Sequence, residues 1–158
     1  AKAIRELGIR YAVCNADLIA TAAGVFMLEL GARMGATGIP EIIRLHSGLD
    51  FYDLVVRLAL GETPTVVMQC KKAAAILLIR SRVSGAIRAL DVPETLRKLP
   101  GLVRIKFDHG KGAEVRAFRT GPDRIGDVIV TAETAEAAEN MCQSVVDQLI
   151  VEVAESDE

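Results

Sequence analysis

Apolar and polar positions along the chain change period several times, and each change predicts an element. Residues 2–7 (KAIREL) have helical composition, and Gly8 suits a helix stop. The run IRYAVCNADLI (9–19) is strand-like, Ala23-Gly24 reads as a turn, and GVFMLEL (24–30) reads as a second strand. Two strands joined so closely predict an antiparallel pair. GARMGATG (31–38) is a loop by its glycines, and Pro40 suits the first turn of a helix over PEIIRLHS that Gly48 ends. The clearest pattern follows: Asp50 as N-cap, Asp53 in the first turn, and Phe51, Leu54, Val55 and Leu58 at helical spacing. Gly61 closes this helix and Pro64 blocks its continuation.

The pattern shifts over 62–72 (ETPTVVMQCKK), which predicts a boundary there, with the basic pair Lys71-Lys72 as a solvated linker. Beyond it, AAAILLIRS and AIRALDV flank Val83-Ser84-Gly85, a predicted hairpin. PETLRKL is a short helix. LVRIKFD and AEVRAF flank His109-Gly110-Lys111-Gly112, a second predicted hairpin, and DVIVTA is a further strand. Thr134 caps a helix whose Ala138, Met141, Cys142, Val145 and Leu149 form one apolar stripe. IVEVA is a last strand, followed by an acidic tail, ESDE, expected to fray. The expected fold class is α/β of the α+β type. A mostly antiparallel sheet with helices carries residues 1–65, and a small β-rich terminal domain with one long helix covers 72–153.

Composition adds mainly exclusions. The chain has 158 residues, 51% of them hydrophobic, enough for one domain or two small ones. A net charge of −2 and few aromatics argue against a nucleic-acid partner or an anionic membrane surface. No apolar stretch is long enough to span a bilayer, and the N-terminal residues do not read as a signal peptide. The three cysteines, Cys14, Cys70 and Cys142, are far apart and form no CxxC, which predicts reduced thiols and a cytoplasmic setting. Cys70 and Cys142 are expected to be buried structural thiols. Two histidines, His46 and His109, exclude His-rich zinc motifs. The sequence begins without Met, which leads to the expectation of a piece of a longer protein.

One segment, DLIATAAGVFMLELGARMGATG (17–38), carries candidate chemistry. Asp17 lies on the first strand and Glu29 on the second, so the turn between them can bring both carboxylates to one face. Paired carboxylates are hard oxygen ligands suited to Mg²⁺ in phosphate chemistry. Arg33, four residues beyond Glu29, can brace phosphate oxygens from within the Gly-rich loop. The alternative is a solvated face on which the two acids pair with lysine or arginine. Neither GxGxxG nor a P-loop occurs.

The order of these features resembles the closing part of an ATP-grasp catalytic domain. The resemblance rests on AKAIRELGIRYAVCNADLI, then GVFMLELGARMGATGIPEI, then SGLDFYDLVVRLALGE, about residues 1–62. A weaker similarity links DRIGDVIVTAETAEAAENM to the small terminal domain of ATP-grasp amino-acid and carboxylate–amine ligases. On this resemblance Asp17 and Glu29 are the two metal-binding acids, Glu29 and Arg33 contact the nucleotide, and Arg33 also has a catalytic role. The family pattern Glu-x-Asn-x-Arg is broken at Gly31, which stands where asparagine supplies a third contact.

The resemblance implies a parent enzyme that joins a carboxylate to an amine through an acyl-phosphate, with ATP and Mg²⁺ (or Mn²⁺) as cofactors. It further implies a missing N-terminal ATP-binding region, inactivity of this chain alone, and a homodimer as an additional partner state. Two alternatives stand beside it. One is a piece of a biotin-carboxylase-like or carbamoyl-phosphate-synthase-like enzyme. The other is a non-catalytic binding or oligomerisation domain that keeps the fold. Arg104, Lys106, Arg116 and Arg119 alternate along two predicted strands, either as an anion-binding face or as the solvated side of a half-buried sheet. Arg124 is expected in a turn salt bridge.

Overall fold

The computed structural model describes residues 2–70 and 72–155 and divides the chain into two compact units, 1–70 and 71–158. Lys71 and the end of the acidic tail, residues 156–158, lie outside the described residues.

Unit 1 begins with helix α1 (Lys2–Glu6), closed by Gly8 at φ +67°. The strand predicted to start at residue 9 starts later: β1 is Asn15–Thr21, and residues before it are irregular, with Tyr11 at φ 51°. A two-residue turn, Ala22-Ala23, leads into β2 (Gly24–Gly31), and the strands pair antiparallel as expected. Helix α2 (Ile39–Ser47) has Pro40 in its first turn and ends at Gly48 in the left-handed region. Helix α3 (Phe51–Ala59) is capped by Asp50, whose carboxylate accepts the Asp53 amide at 3.1 Å. Within α3 only Leu54 is fully buried.

Unit 1 buries little else. Of the large hydrophobic side chains exposed among the described residues, only Val103 and Ile150 belong to unit 2. Leu18, Val25, Phe26, Met27 and Leu28 of the hairpin are each about half exposed or more. By the register Leu18, Met27 and Val25 share one face and Phe26 lies on the other, so apolar side chains are exposed on both faces of the hairpin.

Unit 2 holds the core. Two three-stranded antiparallel sheets make it up. The first has β7 (Gly126–Ala132) between β3 (Ala73–Ile79) and β5 (Leu102–Phe107). The second has β4 (Gly85–Asp91) between β6 (Glu114–Val115) and β8 (Ile150–Glu155). The short helix α4 (Glu94–Arg97) follows β4, and α5 (Ala135–Gln148) packs on β3 and β7. Ile79, Ile87, Leu96, Ile125, Val128, Val130, Ala138, Cys142 and Val145 form one cluster. The predicted stripe on α5 faces it, and Thr134 caps that helix by accepting the Ala137 amide. Val128, Ile129 and Val130 are all buried because β7 is central and covered on both faces, which explains its unbroken apolar run.

Neither predicted hairpin of this unit forms. β3 pairs along its length with β7, whereas β4 pairs with β8 and β6. The Ser81 hydroxyl donates to the Val83 carbonyl and accepts its amide, a local turn that carries the chain from one sheet to the other. Similarly β5 and β6 sit in different sheets. The loop between them is tied to β4 by the Ile87 amide donating to the Ala113 carbonyl and the Gly112 amide to the Ile87 carbonyl. Flanking glycines mark a turn in both places, but β partners are chosen by buried apolar faces distant in sequence.

Three of the four alternating cations meet carboxylates. Arg104 donates through Nε (3.0 Å) and Nη2 (2.6 Å) to one oxygen of buried Asp127. Lys106 and Arg124 each meet Asp108 at 2.6 Å, and Arg116 meets buried Asp123 at 2.8 Å. The Arg124 salt bridge is therefore present; Arg104 and Lys106 lie on β5, whereas Arg116 and Arg119 follow β6 and lie outside any strand, and Arg119 meets no carboxylate among the described residues.

Candidate metal and phosphate site

The site residues read from the sequence converge on the β1–β2 hairpin of unit 1. The register opposes Asp17 to Glu29 directly, and Asn15 to Gly31. In an antiparallel pair, opposed residues share a face, and so do residues two apart on one strand. Asn15, Asp17, Glu29 and Gly31 therefore lie on one side of the ladder. Two like charges directly opposed repel each other, so the pair is a cost to the bare hairpin.

A bulge lies beside the acids. Pairing passes from Asp17↔Glu29 to Leu18↔Met27, leaving Leu28 as the extra residue. Bulges bend a strand and re-aim side chains, and are frequent next to sites of chemistry. Asp17 and Glu29 are both exposed, so neither carboxylate carries a large desolvation cost in this chain.

Asn15 is the residue that sequence reading left without a role. Its Nδ2 donates to Asp17 Oδ1 at 3.1 Å, which fixes the carboxylate and leaves the carboxamide oxygen available. The signal that identifies it is its position two residues before Asp17. Its alignment with Gly31 appears only once the register is known.

Arg33 follows β2. Its Nη1 donates to the Met34 carbonyl at 3.2 Å, and no carboxylate pairs with it among the described residues. A Cβ built on Gly31 would lie 3.4 Å from Arg33 Cγ and 3.6 Å from its Nε. Both are ordinary contact distances, so the Arg33 side chain lies along the strand end at Gly31. The loop closes tightly: Gly35 is buried, and a Cβ there would come within 2.9 Å of the Ile39 side chain. Thr37 at φ 56° precedes Gly38 at φ 76°, a strained entry to α2 for a β-branched residue.

The donor set, two carboxylates and one carboxamide on one face, suits a hard divalent cation that keeps water and phosphate oxygens as its other ligands. It is not a ready-made cage: among the described residues no three His, Cys, Asp or Glu side chains come together to hold a metal. No helix among them is long and apolar enough to cross a membrane. Cys142 is buried, and burial pushes its thiol up to about 11. Cys70, by contrast with expectation, is exposed, because it follows α3 in a stretch outside any helix or strand.

Comparison with known proteins gives this geometry a context. Residues 77–154 match the family model described as L-amino acid ligase C-terminal domain 2. The chain is similar in structure to phosphoribosylglycinamide synthetase from Anaerococcus prevotii (TM-score 0.83, 25% identity, 97% of this chain and 40% of that one). It is also similar to L-amino acid ligase from Bacillus licheniformis (TM-score 0.79, 21% identity, 97% and 39%). A third similarity is to the biotin carboxylase domain of 2-oxoglutarate carboxylase from Hydrogenobacter thermophilus, solved with MgADP and bicarbonate (TM-score 0.72, 20% identity, 96% and 34%). In sequence it is 24% identical over 149 residues to the uncharacterized protein y4rH of Sinorhizobium fredii, covering 94% of this chain and 31% of that protein. The chain thus spans about two fifths or less of each of these proteins.

Proposed function

With the fold of the C-terminal region of ATP-grasp ligases as the premise, we propose that this chain supplies the metal-binding end of a carboxylate–amine ligase active site. The observation that carries the proposal is the register that opposes Asp17 to Glu29 beside Arg33. In this reading Asp17 and Glu29 would hold Mg²⁺ (or Mn²⁺), with the Asn15 carboxamide oxygen reaching in from β1 where β2 has only Gly31. The ion supplies charge neutralisation for the phosphates of ATP. Arg33, left without a carboxylate partner among the described residues, steadies the γ-phosphoryl group as the substrate carboxylate attacks it.

The balance of the reaction is simple. A carboxylate oxygen bonds to the γ-phosphorus, the bond to the bridging oxygen breaks, and ADP leaves. The amine then attacks the acyl carbon and phosphate departs. The chain's own contribution is positioning and charge, which is the larger part of catalysis in phosphoryl transfer.

The exposed apolar side chains of the hairpin support the second half of the proposal. Leu18 and Val25 on one face and Phe26 on the other would be covered by a nucleotide-gripping lobe outside this sequence, and without it the chain neither binds ATP tightly nor turns over. A cytoplasmic setting belongs to the same reading. The test is chemical. In a protein carrying this chain with such a lobe, hydroxylamine traps an acyl-phosphate as a hydroxamate, dependent on ATP and a carboxylate. Glu29→Gln abolishes the trapped product. ADP release with no hydroxamate from any carboxylate offered would sink the ligase reading.

A further inference from the structure

A separate feature lies wholly within unit 2. Between the end of β3, the strap around residue 118 and α5 is an open cavity of about 630 Å³. That is within the span of small-molecule sites, roughly 300–1,000 Å³. Leu77 and Val146 form apolar wall, and Arg80, Arg82, Phe118 and Gln143 line the remainder.

Two arginines, Arg80 and Arg82, line this cavity. Elsewhere in the unit Arg97, Arg104, Arg116 and Arg124 each meet a carboxylate, while Arg88 and Arg119 meet none among the described residues. Arg80 and Arg82 meet none among the described residues, although both are exposed at the rim. The nearby Asp147 carboxylate accepts instead from Gln143 Nε2 at 2.7 Å. Arg80 is held in place: its guanidinium carbon lies 4.6 Å from the centre of the Phe118 ring. The backbone beneath is fixed too. The Phe118 amide donates to the Ser81 carbonyl at 2.9 Å, and the Ser81 hydroxyl bridges to Val83. Two guanidiniums are thus presented on a rigid platform, uncompensated, above an apolar wall.

We propose that this cavity binds a small carboxylate with an apolar body. Arg82 takes the carboxylate in its two-pronged donor geometry, Arg80 adds a second charge-assisted bond, and Leu77 and Val146 cover the body. One anionic group fits better than a chain of phosphates, because only one of the two guanidiniums is unstacked and the facing wall offers alkyl surface. The site stands independently of the metal site on the hairpin and does not rest on the ligase reading.

The test is a titration of the ¹⁵N-labelled chain followed by amide shifts, with 4-methylpentanoate, 4-methylpentan-1-ol and pyrophosphate as probes. The carboxylate is expected to give saturable shifts at residues 77–82, 118 and 143–146, weakened by about tenfold in Arg80→Gln and in Arg82→Gln. Both side chains are exposed, and unchanged signals from Ile125 and Val128 report that the variants fold. Equal binding of the alcohol would overturn the proposal by showing a merely apolar crevice. Saturation by pyrophosphate without saturation by the carboxylate, or no saturable shift with any probe, would overturn it as well.

Discussion

Replacing Arg104 by Met removes the one cationic partner, among the described residues, of a carboxylate that has almost no access to water. Asp127 sits at the start of the central strand β7 with its side chain 8% exposed, while that of Arg104 is 34% exposed. Breaking a fully buried ion pair from one side costs about 3–5 kcal/mol, because the remaining charge is stranded. Water reaches the arginine side here, so the expected loss is smaller, about 2–3 kcal/mol. Arg104→Met with Asp127→Leu should regain most of it, since an apolar pair of similar volume has no charge to desolvate. The sequence has no tryptophan, and its two tyrosines, Tyr11 and Tyr52, are in unit 1. Unit 2 is therefore best followed by hydrogen exchange of the β7 amides, whose protection reports the largest openings. A loss under about 0.5 kcal/mol in the single variant, or a double variant no better than the single, would refute the stranded-charge argument.

Three further outcomes follow from the same structure. Gly126→Ala should destabilise unit 2 by about 3 kcal/mol in denaturant melts, because the added Cβ would lie 2.0 Å from the Lys106 carbonyl oxygen, which the β5–β7 pairing cannot move aside. Asp123 is held below its ordinary range chiefly by the Thr120 amide, and Asp108 chiefly by Lys106. Their folded values are depressed, so their contribution is complete above about pH 4–5 and is lost as pH falls through the folded values; an acid melt should show this slope, and Asp123→Asn should flatten it. Iodoacetamide should modify exposed Cys70 quickly and Cys142 only as unit 2 opens, read by mass spectrometry of the two peptides.

What the sequence revealed follows the range over which each signal acts. Caps and glycine stops are local, so α2, α3 and α5 are legible from Pro40, Asp50, Thr134 and Gly48. Strand existence is legible for the same reason. Partnership in unit 2 is not: Val83-Ser84-Gly85 has turn chemistry, yet β3 gains more by lying against the buried β7. The candidate site was half legible. Asp17, Glu29 and Arg33 stand out by residue type and order, and a short turn is enough to bring the acids together. Asn15 was not legible, because its alignment with Gly31 depends on a register that composition does not state. The cations of β5 read equally well as a surface or a site until Asp127 and Asp108 appear beside them.

The central claim is that a divalent ion seats on the hairpin face bearing Asp17 and Glu29. Adding Mn²⁺ to the ¹⁵N-labelled chain and mapping paramagnetic broadening tests it directly. The expected result is broadening centred on residues 15–17 and 29–33 that is absent in Asp17→Asn. Broadening centred on other surface acids such as Glu133, Glu136 and Glu139, or a pattern unchanged by Asp17→Asn, would contradict it.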